Sequence, residues 1–186
     1  MPHLLFKDLP RYECLREAAT HYPELDPSAC EAFLHLLLTG DESYLFIEKN
    51  LSDHGISQGR FGVMMQLWGK CRGESPDSGL TPAELADRTG VTRATMTGLI
   101  DTLERDALVK REGDDHDRRV MHVFLTPKAH ALLKELLPDH FRRMAALMSP
   151  LNEAERRTLV TLLTKILEHA CQLNAAPREA AMPASA

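Results

Sequence analysis

Residues 81 to 111 read TPAELADRTGVTRATMTGLIDTLERDALVKR, and no other stretch narrows the folds open to this chain as much. Thr81 followed by Glu84 is a capping box with Pro82 at the first helical position, so a helix begins there. It is short. Leu85 and Ala86 face inward, and Gly90 ends it with a residue that tolerates positive φ. Thr92 then caps a second helix, which carries Leu99, Ile100 and Leu103 at helical spacing. Two helices joined by a tight glycine turn form a helix-turn-helix pattern. Leu85, Ala86, Gly90, Val91, Met96 and Leu99 are small or apolar where the helices must touch. Thr92, Arg93, Thr95 and Thr97 are polar and several fall on the other face, where hydroxyls and a guanidinium can bond phosphate oxygens and base edges. The competing reading is an ordinary helical hairpin with a solvated face.

The rest of the chain supplies context for that unit. Its 186 residues suit one domain or two small ones, and 44% hydrophobic content is enough for a core. No run of about 18 apolar residues is present, so no membrane span is expected. The start, MPHLLFKDLPRYE, lacks the pattern of a signal peptide, which points to the cytoplasm. Cys14, Cys30, Cys71 and Cys171 are scattered, with no CxxC, and read as reduced thiols. The net charge of −5 argues mildly against an overall nucleic-acid footprint, but local charge governs binding. No Gly-rich phosphate loop, GxSxG or HExxH is found, so neither an enzyme nor a cofactor is expected.

Along the chain, Pro10, Pro23 and Pro27 divide an apolar arm and a short helix around Tyr12 to Ala19. From Ser28 to about Leu51 the pattern is helical, with Ser28 and Glu31 as a capping box and Gly40 weakening the middle. Ser57 can cap the next helix, where Phe61, Val63, Met64, Met65, Leu67 and Trp68 are apolar nearly all round, so it is buried on more than one side. A turn-rich loop, 73–79, precedes the helix-turn-helix. Two β-prone runs, from Leu108 and from Val120, flank a polar tip at Glu112 to Arg119 and predict a hairpin. Asp114, Asp115, His116 and Asp117 in that tip are donor-rich, but their spacing matches no calcium loop and solvated acids are expected. Thr126 caps and Pro127 opens a helix that Pro138 kinks without ending. Asn152 with Glu155 boxes a last amphipathic helix bearing Leu159, Leu162, Leu163, Ile166 and Leu167. The tail from Asn174 is expected to be disordered.

The helix-turn-helix followed by LERDALVKREGDDHDRRVMHVFLTPKAHAL resembles the multiple-antibiotic-resistance regulator (MarR) family of winged-helix repressors. Leu103–Glu104, Leu108–Val109, Asp117–Arg118–Arg119 and Leu125–Thr126–Pro127–Lys128 carry the likeness, which spans roughly residues 30 to 170. The resemblance implies a mainly α fold with a small β-hairpin wing. The winged helix-turn-helix would lie between N- and C-terminal dimerisation helices. It divides the chain into an arm and dimerisation helices (1–56), a DNA-binding region (57–128), C-terminal dimerisation helices (129–173) and a tail (174–186). Family members typically repress transcription as dimers and release DNA when a small anionic, often aromatic, ligand binds between dimer and winged-helix parts. Two positions depart from the pattern. Ala129 replaces the usual glycine after Thr-Pro-Lys. Gly98 stands where many members carry arginine, so base preference does not transfer. Gly98 also costs about 1 kcal/mol of helix propensity relative to alanine, which suggests close approach of another helix or of the DNA backbone.

The expected DNA contacts are Thr92, Arg93, Thr95 and Thr97 in the major groove, with Arg118 or Arg119 entering the minor groove. The expected partners are a double-stranded operator, a second copy of the chain and a small-molecule effector. For that effector, Phe61, Met64, Met65 and Trp68 are candidate cleft residues, with Arg60 or His35 to meet a carboxylate or phenolate. The alternative is that the four apolar residues are simply core. Cys14, near Tyr12 and Tyr22, matches the placement in peroxide-sensing relatives, so a redox-sensing repressor is a second reading. A zinc-sensing variant through Glu24, Cys30, Glu31 and His35 has no diagnostic spacing. A winged-helix protein-interaction module is the rival of a different class, since the net charge is acidic.

Overall fold

A computed structural model describes residues 8–69, 79–113 and 120–175. In chain order it holds α1 (Tyr12–His21), α2 (Pro27–Asp53), α3 (Gln58–Trp68), α4 (Pro82–Thr89) and α5 (Arg93–Arg105). Then come β1 (Val109–Gly113), β2 (Met121–Leu125), α6 (Pro127–Leu147) and α7 (Glu153–Ala175). The protein is mainly α with one small hairpin, and it divides into two units after Arg142.

Helix boundaries follow local hydrogen-bonding chemistry. In α4, Thr81 Oγ1 accepts from the Glu84 N–H while the Glu84 carboxylate accepts from the Thr81 N–H at 2.7 Å, a complete capping box. Bonds from the Thr81 backbone and hydroxyl hold the Glu84 carboxyl below the usual carboxylate range. Ser57 caps α3, and Asn152 and Glu155 exchange bonds at the start of α7. One boundary differs from the sequence reading. α2 is capped by Asp26, not Ser28. The Asp26 carboxylate accepts from the Ser28 hydroxyl, the Ala29 N–H and the Ser28 N–H, which together hold it low. Pro27 explains this. A proline at the first helical position has no N–H to offer, so the residue before it becomes the cap. Gly40 sits inside an uninterrupted α2, and Pro138 inside an uninterrupted α6.

α3 is the centre of the first unit, packed against α2, α4, α5 and β2. Its Phe61, Val63, Met64 and Leu67 are buried, with Met65 and Trp68 packed against the same core, which is the many-sided burial its composition demands. Met96, Ile100 and Leu103 from α5, Leu85 and Ala86 from α4, and Leu133 and Leu136 from α6 complete that core. Each of the larger side chains among them contributes about 1.5–3 kcal/mol when removed from water. Ala129, at the family's glycine position, is fully buried in it.

β1 and β2 pair antiparallel from Val109↔Leu125 to Gly113↔Met121, with Val109 and Val123 turned inward. Leu80 adds a bridge to Val123, its N–H and C=O both bonded across, which no local pattern around Leu80 foretells. The Phe124 ring closes over Gly79, where a Cβ would fall 2.5 Å from a ring carbon.

The α5–β1 turn carries backbone strain. The Ala107 N–H bonds Glu104 O and the Leu108 N–H bonds Leu103 O, which is a Schellman closure with Ala107 in the glycine position at φ 56°. A left-handed alanine costs about 1–2 kcal/mol, while glycine adds about 0.5–1 kcal/mol of chain entropy on folding. Ala107→Gly is therefore expected to raise stability by about 0.5–1 kcal/mol, read as a higher denaturant midpoint at unchanged slope.

His140 on α6 is buried against Phe61, at 4.8 Å between ring centroids, and beside Phe141. Burial pushes its imidazole down. The unfolded chain therefore binds this proton at a higher pH than the folded one. That contribution to stability is complete above the ordinary imidazole value of about 6.5 and is lost as pH falls below it. Denaturant midpoints are expected to drop between about pH 7.5 and pH 5.5 in the native chain, and to drop less in His140→Leu. Asp26 and Glu84, held low, add a second loss below about pH 4.

Candidate nucleic-acid interface

α4 stops at Gly90, φ 68°, and after Val91 the chain restarts at Thr92. The Thr92 hydroxyl accepts from the Thr95 N–H at 3.1 Å and lies 2.9 Å from the Thr95 hydroxyl. Thr97 donates its hydroxyl to Arg93 O at 2.9 Å. These local bonds orient the hydroxyls and leave acceptor lone pairs outward. Met96, Ile100 and Leu103 are fully buried on the other side of the same helix, whereas Thr92, Arg93, Thr95, Thr97 and Gly98 are exposed. The four residues read from sequence as a contact surface are thus all exposed, with Arg93 and Thr97 on the rim of one cleft. Arg93 makes no ion pair or hydrogen bond through its guanidinium among the described residues. It rims a cleft of about 470 Å³ with Thr81, Pro82, Ala83, Thr97, Val120 and Met121.

A Cβ at Gly98 would meet nothing within 4 Å. No neighbour among the described residues therefore requires glycine there.

One charged device escaped the sequence reading. Arg111, two residues into β1, bonds Asp101 and also Glu104 at 2.7 Å, both on α5. A forked guanidinium suits two carboxylates one helical turn apart. It ties the wing strand to α5 and neutralises the acids that would otherwise repel phosphate. The recoverable signal was the i, i+3 pair of acids ending α5, followed by arginine in the next strand. Lys110 pairs with Glu112 on the solvent side.

Arg118 and Arg119 lie outside the described residues, as do Asp114, Asp115, His116, Asp117 and Cys71. Of the six effector candidates, Phe61 and Met64 are core side chains, Met65 and Trp68 pack on the core, and His35 is exposed on α2. Arg60 is ion-paired with Asp106 and lines a separate cleft. That cleft contains none of the other five. Cys14 is exposed on α1. Among the described residues no three His, Cys, Asp or Glu side chains are placed to hold a metal ion. Glu24, Cys30, Glu31 and His35 are all described and form no such group. No described helix is long and apolar enough to cross a membrane.

A family model described as the MarR family matches residues 72–120. Among characterised relatives, the chain is similar to the HTH-type transcriptional repressor YetL of Bacillus subtilis. The two are 34% identical over 162 residues, which is 87% of this chain and 94% of YetL. The MepR–DNA complex of S. aureus has a similar fold, with TM-score 0.63 and 23% identity over 74% of this chain and 96% of that one. So does BpsR of Bordetella bronchiseptica, in a structure that concerns regulation of its DNA binding by 6-hydroxynicotinic acid. Its TM-score is 0.60 at 24% identity, over 73% of this chain and 98% of that one.

Proposed function

The chain belongs to the MarR family of DNA-binding transcriptional regulators, and we propose that it is a ligand-responsive repressor acting as a homodimer on a pseudo-palindromic operator. The observation that carries this is α5 itself. Its apolar stripe is sealed in the core while Thr92, Arg93, Thr95 and Thr97 stand exposed beside it. Arg118 or Arg119 would add a minor-groove contact from the wing.

Dimerisation rests on α7. None of its described residues is buried, and Val160, Leu162, Leu163, Ile166 and Leu167 are exposed. A second copy covering that apolar face accounts for its composition better than solvent does. Two such copies would present recognition helices to successive major grooves, about 34–36 Å apart. Release by a small anionic or aromatic effector is supported by BpsR, a protein of the same fold whose DNA binding is regulated by 6-hydroxynicotinic acid. The effector would need only to change the spacing of the two helices, and could shift that equilibrium by no more than its differential affinity for the two states. A cytoplasmic setting follows from the same role.

The test is binding to the DNA upstream of the chain's own gene across a salt series. Arg93→Ala is expected to weaken binding by about tenfold or more and Arg119→Ala to flatten the salt dependence, each removing one cation from the duplex. No shift of any upstream fragment, with a stable fold, would favour the protein-interaction reading instead. Sedimentation of the free protein as a monomer at all concentrations would remove the dimer.

A further inference from the structure

The C-terminal end of α5 is held by bonds from α3 and from the start of α6. Asp106 is the C-cap of α5, and Ala107 is the left-handed residue that turns the chain toward β1. Arg60, on α3, pairs with the Asp106 carboxylate through one terminal nitrogen and donates to Gly55 O at 3.4 Å through the other. Lys128, in the first turn of α6, donates to Asp106 O at 2.9 Å, and the Thr126 hydroxyl donates to Ala107 O at 2.7 Å. With Arg105, Arg60 and Lys128 line the cleft that holds the Asp106 carboxylate.

Arg60 differs from the other ties in its burial. Its side chain is 16% exposed, against 43% for Asp106. A guanidinium so far buried is not offered to a phosphate, and its planar fork fixes direction as well as distance. Met96, Ile100 and Leu103 hold α5 against the core. Burial of that kind is non-directional, so the tilt and axial position of the helix depend more on directed bonds at its ends. α5 has 13 residues and is about 20 Å long. Ile100, fully buried, lies near its middle, so the lever arms to Arg93 and to Asp106 are about equal. A shift of about 1 Å at Asp106 then moves Arg93 by about 1 Å the opposite way. Hydrogen bonds to base edges are made over a window of about 0.5 Å and do not survive such a shift. Charge attraction to phosphates falls off slowly with distance and does survive it.

We infer that Arg60 is a positioning residue for the reading of DNA sequence. By tying the C-cap of α5 to α3 it sets the tilt and depth at which Arg93 and Thr97 meet base edges, and it touches no DNA itself. The role rests on the reading of α5 as the helix that enters the major groove. It predicts that Arg60 governs discrimination between operator and other DNA, not the general attraction to a duplex.

The experiment measures full-length Arg60→Met and Arg60→Lys, with Arg93→Ala beside them, on the upstream operator fragment and on a random duplex of equal length across a salt series. Methionine fills the space of the buried stem, and the Asp106 carboxylate is exposed enough to be hydrated, so the fold is kept. Operator binding is expected to weaken about tenfold in Arg60→Met, with random-duplex affinity within about twofold of wild type and the salt slope unchanged. Arg60→Lys should lose only about threefold, since its ammonium keeps a charge beside Asp106 but does not span Gly55 O as well. It also carries the test where Arg60→Met folds poorly. Full operator affinity in both Arg60 variants would overturn the role. So would equal losses on operator and random duplex, the mark of a damaged fold, or a salt slope smaller by about one, the mark of a phosphate contact. A loss in Arg93→Ala with none in the Arg60 variants removes the positioning role and leaves the reading helix in place. No loss in any of the three takes α5 out of base reading, and the positioning role with it.

Discussion

Arg111→Ala is expected to weaken operator binding by about 10- to 100-fold while costing the fold little, on the order of 1 kcal/mol. Arg111 is not on the exposed threonine face, so a contact list would overlook it. Its guanidinium pairs with the Asp101 and Glu104 carboxylates and offsets their charge. Removing it uncovers two carboxylates on the helix that must approach a polyanion, and it frees the wing strand from α5. Both effects fall on DNA binding. Stability changes little because these are partly exposed ion pairs, which contribute about 0–1 kcal/mol. Fluorescence anisotropy with labelled operator over a salt series measures the first effect and a denaturant titration the second. The variant Arg111→Ala, Asp101→Asn, Glu104→Gln should recover most of the lost affinity, since the acids it would uncover are gone. Wild-type affinity in the single variant would show that the clamp has no part in DNA recognition.

Met96→Ala is expected to cost about 2–5 kcal/mol of stability, a large share of the 5–15 kcal/mol that holds a typical domain. Met96 is on the same helix as Arg93 and Thr97 but fully buried, in the core that α3, α4 and α5 share. Its loss leaves a cavity that rigid helices close only in part. Thr97→Ala, one residue on and exposed, is expected to shift stability by no more than about 0.5 kcal/mol. The contrast between neighbours is the check. Comparable denaturant midpoints for the two variants would mean that α5 does not pack as described.

The helix starts at Thr81 and Thr92, the stop at Gly90 and the hairpin from Val109 to Leu125 were legible because each depends on residues within a few positions of one another. The capping misread at α2 shows the limit of such rules. Ser28–Glu31 satisfies the box pattern, yet Pro27 moves the cap to Asp26. The effector candidates failed to gather for another reason. A run of large apolar residues has the same appearance whether it lines a cleft or fills a core, and Phe61 and Met64 fill the core.

Sequence alone determined which segments are helical, which face of α5 is apolar and which is polar, and the likeness to a regulator family, since periodicity and capping are written in neighbouring residues. Only tertiary structure decided that Arg111 clamps Asp101 and Glu104, that Leu80 joins the wing, and that Arg60, Arg105 and Lys128 surround one carboxylate. Residues up to 68 positions apart in the chain meet there, and no local rule encodes a distance across the fold.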